Sequence, residues 1–298
     1  MLGLTDFIQN LVAGVSVGLT YGLMGLGVVF LWQSINRINF ANISSAMLSV
    51  YLFFLFHTWL GLSMLLSAVL AIVLVAVYGL GLRYLLYEPI TKRGGARLEF
   101  VVATLMLTVF WLTLIIAMFG GMPRRFPPLF GDATQFVRFF GVGVRAIYFY
   151  MIVVVAVLMT LLHVILRKTL MGKMLRATAQ SKETAQLMGI NVNLTANLAF
   201  VMSTTVVGVA GLLLGPIYFV SPVLGGGAIG IKGFAAAVMG GLVDPYGAIL
   251  GGVVLGALEN FSTLFISSAY RDVISFAVIA VVLVWKPTGI FNWTSKKE

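Results

Sequence analysis

Residues 38–82 carry no Asp, Glu, Lys or Arg, and an α-helix needs only about 20 apolar residues to cross the hydrocarbon core of a bilayer. That run is long enough for two crossings, and it divides near residues 57–63, where Gly61 sits among polar neighbours. Charge-free windows at residues 7–36, 100–123 and 146–166 give one span each. Another is expected at about Thr195–Gly215, broken by Pro216, Pro222 and the glycines at 225–227. Only 9% of the 298 residues are charged and 60% are hydrophobic, whereas a soluble domain averages about 25% charged. The chain cannot cover itself with a hydrated surface. It is expected to be an all-α, polytopic helical membrane protein, a single transmembrane unit over residues 1–298 with about eight spans (seven to nine).

The last third is less regular. Its apolar pieces, residues 233–243, 246–258 and 273–285, are short, and Lys232, Asp244, Pro245, Glu259 and Asp272 interrupt them. Broken segments survive at membrane depth only against protein or a water-filled cavity, so half-helices or re-entrant elements are expected there. Residues 83–99 carry Arg83, Lys92, Arg93 and Arg97; residues 167–193 carry Arg167, Lys168, Lys173, Arg176 and Lys182 against Glu183; Lys296 and Lys297 lie at the tail. The positive-inside bias sends these three regions to the cytoplasm. Residues 123–145 then form an external loop, despite Arg124, Arg125, Arg138 and Arg145 against Asp132. An external N-terminus and an internal C-terminus require an odd number of crossings. The N-terminus lacks the basic start of a secretory signal and holds Asp6, so the first apolar run is expected to stay as a span.

The net charge of +10 comes from loops between apolar runs, which fits a membrane and not a nucleic-acid face. Cysteine is absent and histidine is limited to His57 and His163. Disulfides, thiolate chemistry and a His-rich metal site are thereby excluded, and no metal is expected.

Four features carry mechanism. Gly14, Gly18 and Gly22 recur every four residues, as do Gly252 and Gly256. Such stripes let helix backbones approach closely in lipid, either as packing or as a moving interface along the path. Asn36, Asn39 and Asn42 recur every three and would share a helix face; with Tyr21, Asn39 and Asn42 are candidate residues of a solute path, or else an interfacial cap. Glu259 is a possible intramembrane charge, free to act or paired with Lys232 or Arg271. Finally, residues 167–193 form a basic island. Gly172 is expected to break the preceding helix, residues 173–188 to form a second one, and Gly189 to end it in the left-handed C′ conformation. Ala177 and Ala185 fall on a small-residue face, Arg176 and Glu183 on another, and Asn193 can cap the next span. The island reads either as a docking helix or as a solvated loop on lipid headgroups.

The island resembles the coupling loop of the LivH-type permeases of branched-chain amino acid ABC importers, through Arg176-Ala-Thr-Ala, Glu183-Thr-Ala185 and Gly189-Ile190-Asn191. The resemblance extends to residues 18–27, to Ile35-Asn36-Arg37-Ile38-Asn39-Phe40-Ala41, to Ala199-Phe200 with Gly208 and Gly211, to the Gly240–Glu259 block and to Lys286-Pro287-Thr-Gly289-Ile290-Phe291. Two departures stand out: Asn42-Ile43-Ser44 replace the family's His-Gly-Glu, and Leu242, Val243 and Asp244 precede Pro245 in place of a glycine-rich stretch. Another amide, organic acid or aromatic solute therefore stays open. The resemblance implies an inner-membrane permease subunit that pairs with a second permease of LivM type, two cytoplasmic ATPase subunits and a periplasmic solute-binding protein. In it, Gly172, Arg176, Ala177, Glu183, Ala185, Gly189 and Ile190 would belong to the ATPase-coupling loop. The sequence has no Gly-x4-Gly-Lys-Ser/Thr loop, so no cofactor is expected in the chain itself, and ATP would be used by its partners. An ion-coupled secondary transporter is the alternative, with Glu259 near broken helices as its only deep carboxylate. No serine-nucleophile or metal cluster points to a membrane enzyme.

Overall fold

The computed structural model describes residues 4–127, 135–139, 142–222, 224, 228–265, 270–286 and 289–291. Pro128, Asp132, the glycines at 225–227, Pro287 and the two tail lysines, Lys296 and Lys297, lie outside the described residues.

The first helix, α1 (Leu4–Ile35), has 32 residues and is about 48 Å long, more than a bilayer core. It ends where Asn36 takes a positive φ of 50°, a conformation that asparagine tolerates better than most side chains. One 3₁₀ turn (Phe40–Asn42) leads into α2 (Ser44–Phe54) and a π-helical turn (Leu55–Trp59). Gly61, at φ +65°, makes the reversal expected at this position. Next comes α3 (Met64–Gly81), which continues through a π-helical turn (Leu82–Tyr87) into α4 (Glu88–Lys92). Arg83 is therefore helical and buried rather than part of a polar loop.

After α5 (Arg97–Phe119), β1 (Phe136–Phe139) and β2 (Val142–Arg145) pair antiparallel, with Phe136 opposite Arg145. Three helices follow, α6 (Ala146–Lys168), α7 (Leu170–Gln180) and α8 (Lys182–Leu187), and then the long α9 (Val192–Tyr218). α9 extends past both expected limits, because Pro216 falls in its last turn, where it interrupts little of the ladder. The chain closes with α10 (Ala228–Gly240), α11 (Pro245–Phe265) and α12 (Arg271–Trp285). Lys232 and Glu259 lie inside α10 and α11 and do not interrupt them.

Seven helices among the described residues are long and apolar enough to cross a membrane. At 13 residues α10 spans about 20 Å, only part of a crossing. The protein is a multi-pass helical membrane protein. α1 is its axis, packed on α9, α10 and α11. The two glycine stripes meet there: a Cβ at Gly18 would lie 2.6 Å from the Gly252 carbonyl oxygen, and one at Gly14 would lie 3.0 Å from that of Gly256. Gly22 meets the backbone of Ile249. α2 approaches α9 in the same way, Gly211 against Ala46. The outer helices α3, α5 and α6 turn apolar side chains outward, among them Val73, Phe110 and Val157, as a lipid-facing surface must.

Both ends of α1 locate the two faces of the protein. At its start, Gln9 donates to the Gly143 carbonyl at 2.6 Å, beside the hairpin. At its other end Gln33 donates to the Val243 carbonyl, on the same side as the basic island and the last described residues. Among the cations of the hairpin side, Arg124 is held by structure: it donates to the Phe119 carbonyl at 2.7 Å and stacks on Phe54.

Candidate functional site

The three asparagines do not share a helix face, because the helix breaks among them. Asn36 is exposed, whereas Asn39, extended just before the 3₁₀ turn, and Asn42, at its end, are buried. The turn is fixed from outside: the Phe40 N–H donates to the Thr104 hydroxyl at 3.3 Å and Tyr78 donates to the Ala41 carbonyl at 3.2 Å. Asn42 lies beside Gly27 of α1, whose carbonyl accepts from the Ser203 hydroxyl at 2.6 Å. Among the described residues, the amide nitrogen and oxygen of both Asn39 and Asn42 have no hydrogen-bond partner, nor do the hydroxyls of Ser34, Ser44 and Ser45. Leaving one such group unpaired costs about 1–3 kcal/mol. Seven atoms clustered on one short stretch call for an explanation in function.

Tyr21 stands apart from that cluster, contrary to the grouping drawn from sequence. Its hydroxyl shares a 2.9 Å hydrogen bond with the Tyr218 hydroxyl and donates to Glu259 Oε1 at 3.4 Å. Glu259 is buried and accepts from Lys232 Nζ at 3.0 Å and from the Ser275 hydroxyl at 3.2 Å, with Arg271 Nε 3.4 Å away. Lys232 also reaches Asp272 at 2.7 Å. Two cations thus face two anions at the junction of α10, α11 and α12. Glu259 is therefore engaged on both oxygens, unlike the free carboxylate that carries a coupling ion. The roles of Tyr218, Asp272 and Ser275 went unseen in sequence, since they appear only when α9, α10 and α12 close on α11.

The basic island is bent in two places that differ from those expected. Thr169, not Gly172, separates α6 from α7, and its hydroxyl accepts from the Gly172 N–H at 3.3 Å. Gly172 sits in the first turn of α7, where a Cβ would lie 2.5 Å from the Ile165 carbonyl oxygen. Ser181 ends α7 and caps α8, accepting from the Thr184 N–H at 3.2 Å, so residues 173–188 form two helices. Gly189 has the left-handed conformation, φ +81°. Two reverse bonds finish α8: Ile190 N–H to the Ala185 carbonyl and Gly189 N–H to that of Gln186, both 3.0 Å. Asn191, not Asn193, caps α9, accepting from Leu194 N–H at 3.0 Å. Asn193 instead accepts from Arg83, together with Asn197.

These bends change the exposed face. Ala185 is buried and Ala177 half-buried, so the small-residue face looks inward. Arg176 donates to the Leu166 carbonyl at the end of α6 rather than pairing with Glu183. What projects is the apolar tip of α8, Leu187 at 88% and Met188 at 78% exposure. Behind it, the elbow at Ser181 walls a cleft of about 1100 Å³ with Trp32, Asn36, Arg37, Tyr87 and Arg97.

Residues 10–283 match the family described as branched-chain amino acid transport system, permease component. The chain is 32% identical to the high-affinity branched-chain amino acid transport system permease protein LivH of Escherichia coli, covering 96% of each chain. It is 31% identical to the permease protein BraD of Pseudomonas aeruginosa over 96% of each. It is also 30% identical to a probable LivH of Methanocaldococcus jannaschii, over 92% of this chain and 89% of that one. No solved structure matches it.

Proposed function

The chain belongs to the family of branched-chain amino acid transport permease components, and on that premise we propose that it is the membrane subunit of an ATP-driven importer in the bacterial inner membrane. It carries a branched-chain or related amino acid along α1, past the asparagine turn and into the cleft at the island. The observation that carries this reading is the extent of the likeness, which runs through residues 10–283 instead of one motif. Without a phosphate-binding loop of its own, the chain takes its energy from two cytoplasmic ATPase subunits. A second permease of LivM type completes the path, and a periplasmic binding protein delivers solute at the hairpin side.

The α7–α8 elbow is where the ATPase docks. Leu187 and Met188 offer a compact apolar contact at the cytoplasmic face, and buried apolar anchors carry most of the energy of a protein interface. Leu187→Asp with Met188→Asp should lower solute-stimulated ATP hydrolysis about tenfold or more while leaving the chain inserted. The direct test is to purify the chain from its native membrane, identify the proteins that come with it, and measure uptake after reconstitution. ATP-dependent uptake that needs a Walker-motif partner is the expected result. Uptake by the chain alone, driven by a sodium or proton gradient, would overturn the reading.

A further inference from the structure

The asparagine turn leads to a helix start in an unusual place. Ser44 and Ser45, the first residues of α2, are fully buried. α1 runs on for eight residues, about 12 Å, past the level at which Gly27 meets Asn42. A helix that begins this deep presents its first N–H groups and the positive end of its dipole to a region without water. Chains normally answer with a capping oxygen. Here the N-cap is Ile43, and no side chain caps the helix.

The neighbouring side chains increase the demand for an acceptor. Those of Ser44 and Ser45 project from bonds that tilt toward the helix start, and both hydroxyls lack partners. Just before it, Asn42 ends the 3₁₀ turn and Asn39 precedes that turn in extended conformation. Their amides are unpartnered and more than nine-tenths buried. None of residues 7–87 is an acid, and Glu259 is engaged elsewhere by Lys232 and Ser275.

We propose that the buried start of α2 is the carboxylate subsite of the transport path. A solute carboxylate is accepted there by the Ser44 and Ser45 N–H groups, their hydroxyls and the Asn42 amide before it leaves by the cytoplasmic cleft; the Ala46 N–H is already taken by the Ile43 carbonyl at 3.1 Å. Helix N-termini bind anions for these reasons, and transporters place them at anionic solute groups beside broken helices. An ammonium group would meet the wrong end of the dipole. The solute is therefore a carboxylic acid, which excludes neutral sugars and polyamines. This deepens the permease reading and rests on it.

The experiment uses the complete importer in proteoliposomes, with L-leucine carrying a ¹³C carboxyl as probe. In the wild-type complex, solid-state NMR should show dipolar contact between that carbon and ¹⁵N at Ser45 or at the Asn42 side chain. Ser44→Ala with Ser45→Ala, and separately Asn42→Asp, should each lower leucine uptake about tenfold or more, the size expected for lost hydrogen bonds to a charged group. Full uptake in both variants, or contact of the labelled carbon with other residues only, overturns the subsite and leaves the permease reading standing. Should Asn42→Asp fail to assemble, the serine pair and the wild-type contact still decide. A wild-type complex that transports a sugar or an amine and no carboxylic acid would defeat both.

Discussion

A carboxylate taken out of water costs several kcal/mol unless it is paired, and Glu259 receives Lys232, Ser275 and Tyr21, with Arg271 beside it. Removing one partner should be severe. Lys232→Met is expected to destabilise the protein by about 3–5 kcal/mol, read as a lower melting temperature in detergent, and adding Glu259→Gln should restore most of the loss. A Lys232→Met protein that melts like wild type would mean that Arg271 alone compensates the charge. The pairing of Glu259 with Lys232 or Arg271 was open to the sequence, because an acid at membrane depth needs a cation. Lys232's second partner, Asp272, was not, since it depends on how α10 meets α12. Gly189 was legible for a local reason: the residue after a helix often turns left-handed, a conformation that glycine enters without a Cβ penalty. Asn191 and Asn193 look alike in sequence, and the choice of cap was made by the distant Arg83, which takes Asn193 for itself.

Among the elements, α1 and α11 depend on contact between backbones. At Gly18 and Gly22 a Cβ would lie 2.6 and 2.7 Å from backbone atoms of α11, and backbone cannot rotate away as a side chain can. Gly18→Leu should force the two helices apart and cost more than the 1–3 kcal/mol or so typical of an overpacked core. Gly81→Ala, with nothing within 4 Å of the new methyl, should be nearly neutral. Comparing their melting temperatures and membrane yields checks the difference; equal behaviour would mean that the stripes do not set the packing. The four-residue spacing disclosed the stripes, but a stripe does not name its partner. Of the late helices, α10 is short as expected, whereas α11 runs past residue 258 to Phe265 for a physical reason. A single charge inside an apolar run resembles a helix end, and Lys232 and Glu259 are tolerated mid-helix because each cancels the other across α10 and α11. The island was misdivided because Ser181 and Thr169 can sit inside a helix or cap one, and only the packing of α7 against α6 decides.

For the molecule as a whole, the two faces differ in what they can bind. The hairpin face joins α1 to β2 through Gln9, which donates to the Gly143 carbonyl, and to α6 through Ser16, which donates to that of Tyr148. The opposite face brings the end of α1, the Arg97 region and the α7–α8 elbow around one cleft. The elbow's α7 therefore lies against α1, the helix that touches both the asparagine turn and the Tyr21–Glu259 cluster. That geometry predicts a pattern of chemical access, and a chain without native cysteine suits its measurement. Cysteines replacing Leu187 and Met188 should react rapidly with a membrane-impermeant thiol reagent in inside-out vesicles and slowly in right-side-out ones, and the ATPase subunits should shield them. Cysteine at Phe136, exposed on the hairpin, should show the reverse sidedness and no shielding. Cysteine at Ala185 should react slowly in both preparations, because its side chain is packed beneath α8. Fast labelling at 185 with protection at neither 187 nor 188 would show that the island meets its partner by another face. The elbow would then hold no grip on α1, and the coupling proposed for this chain would have to pass elsewhere.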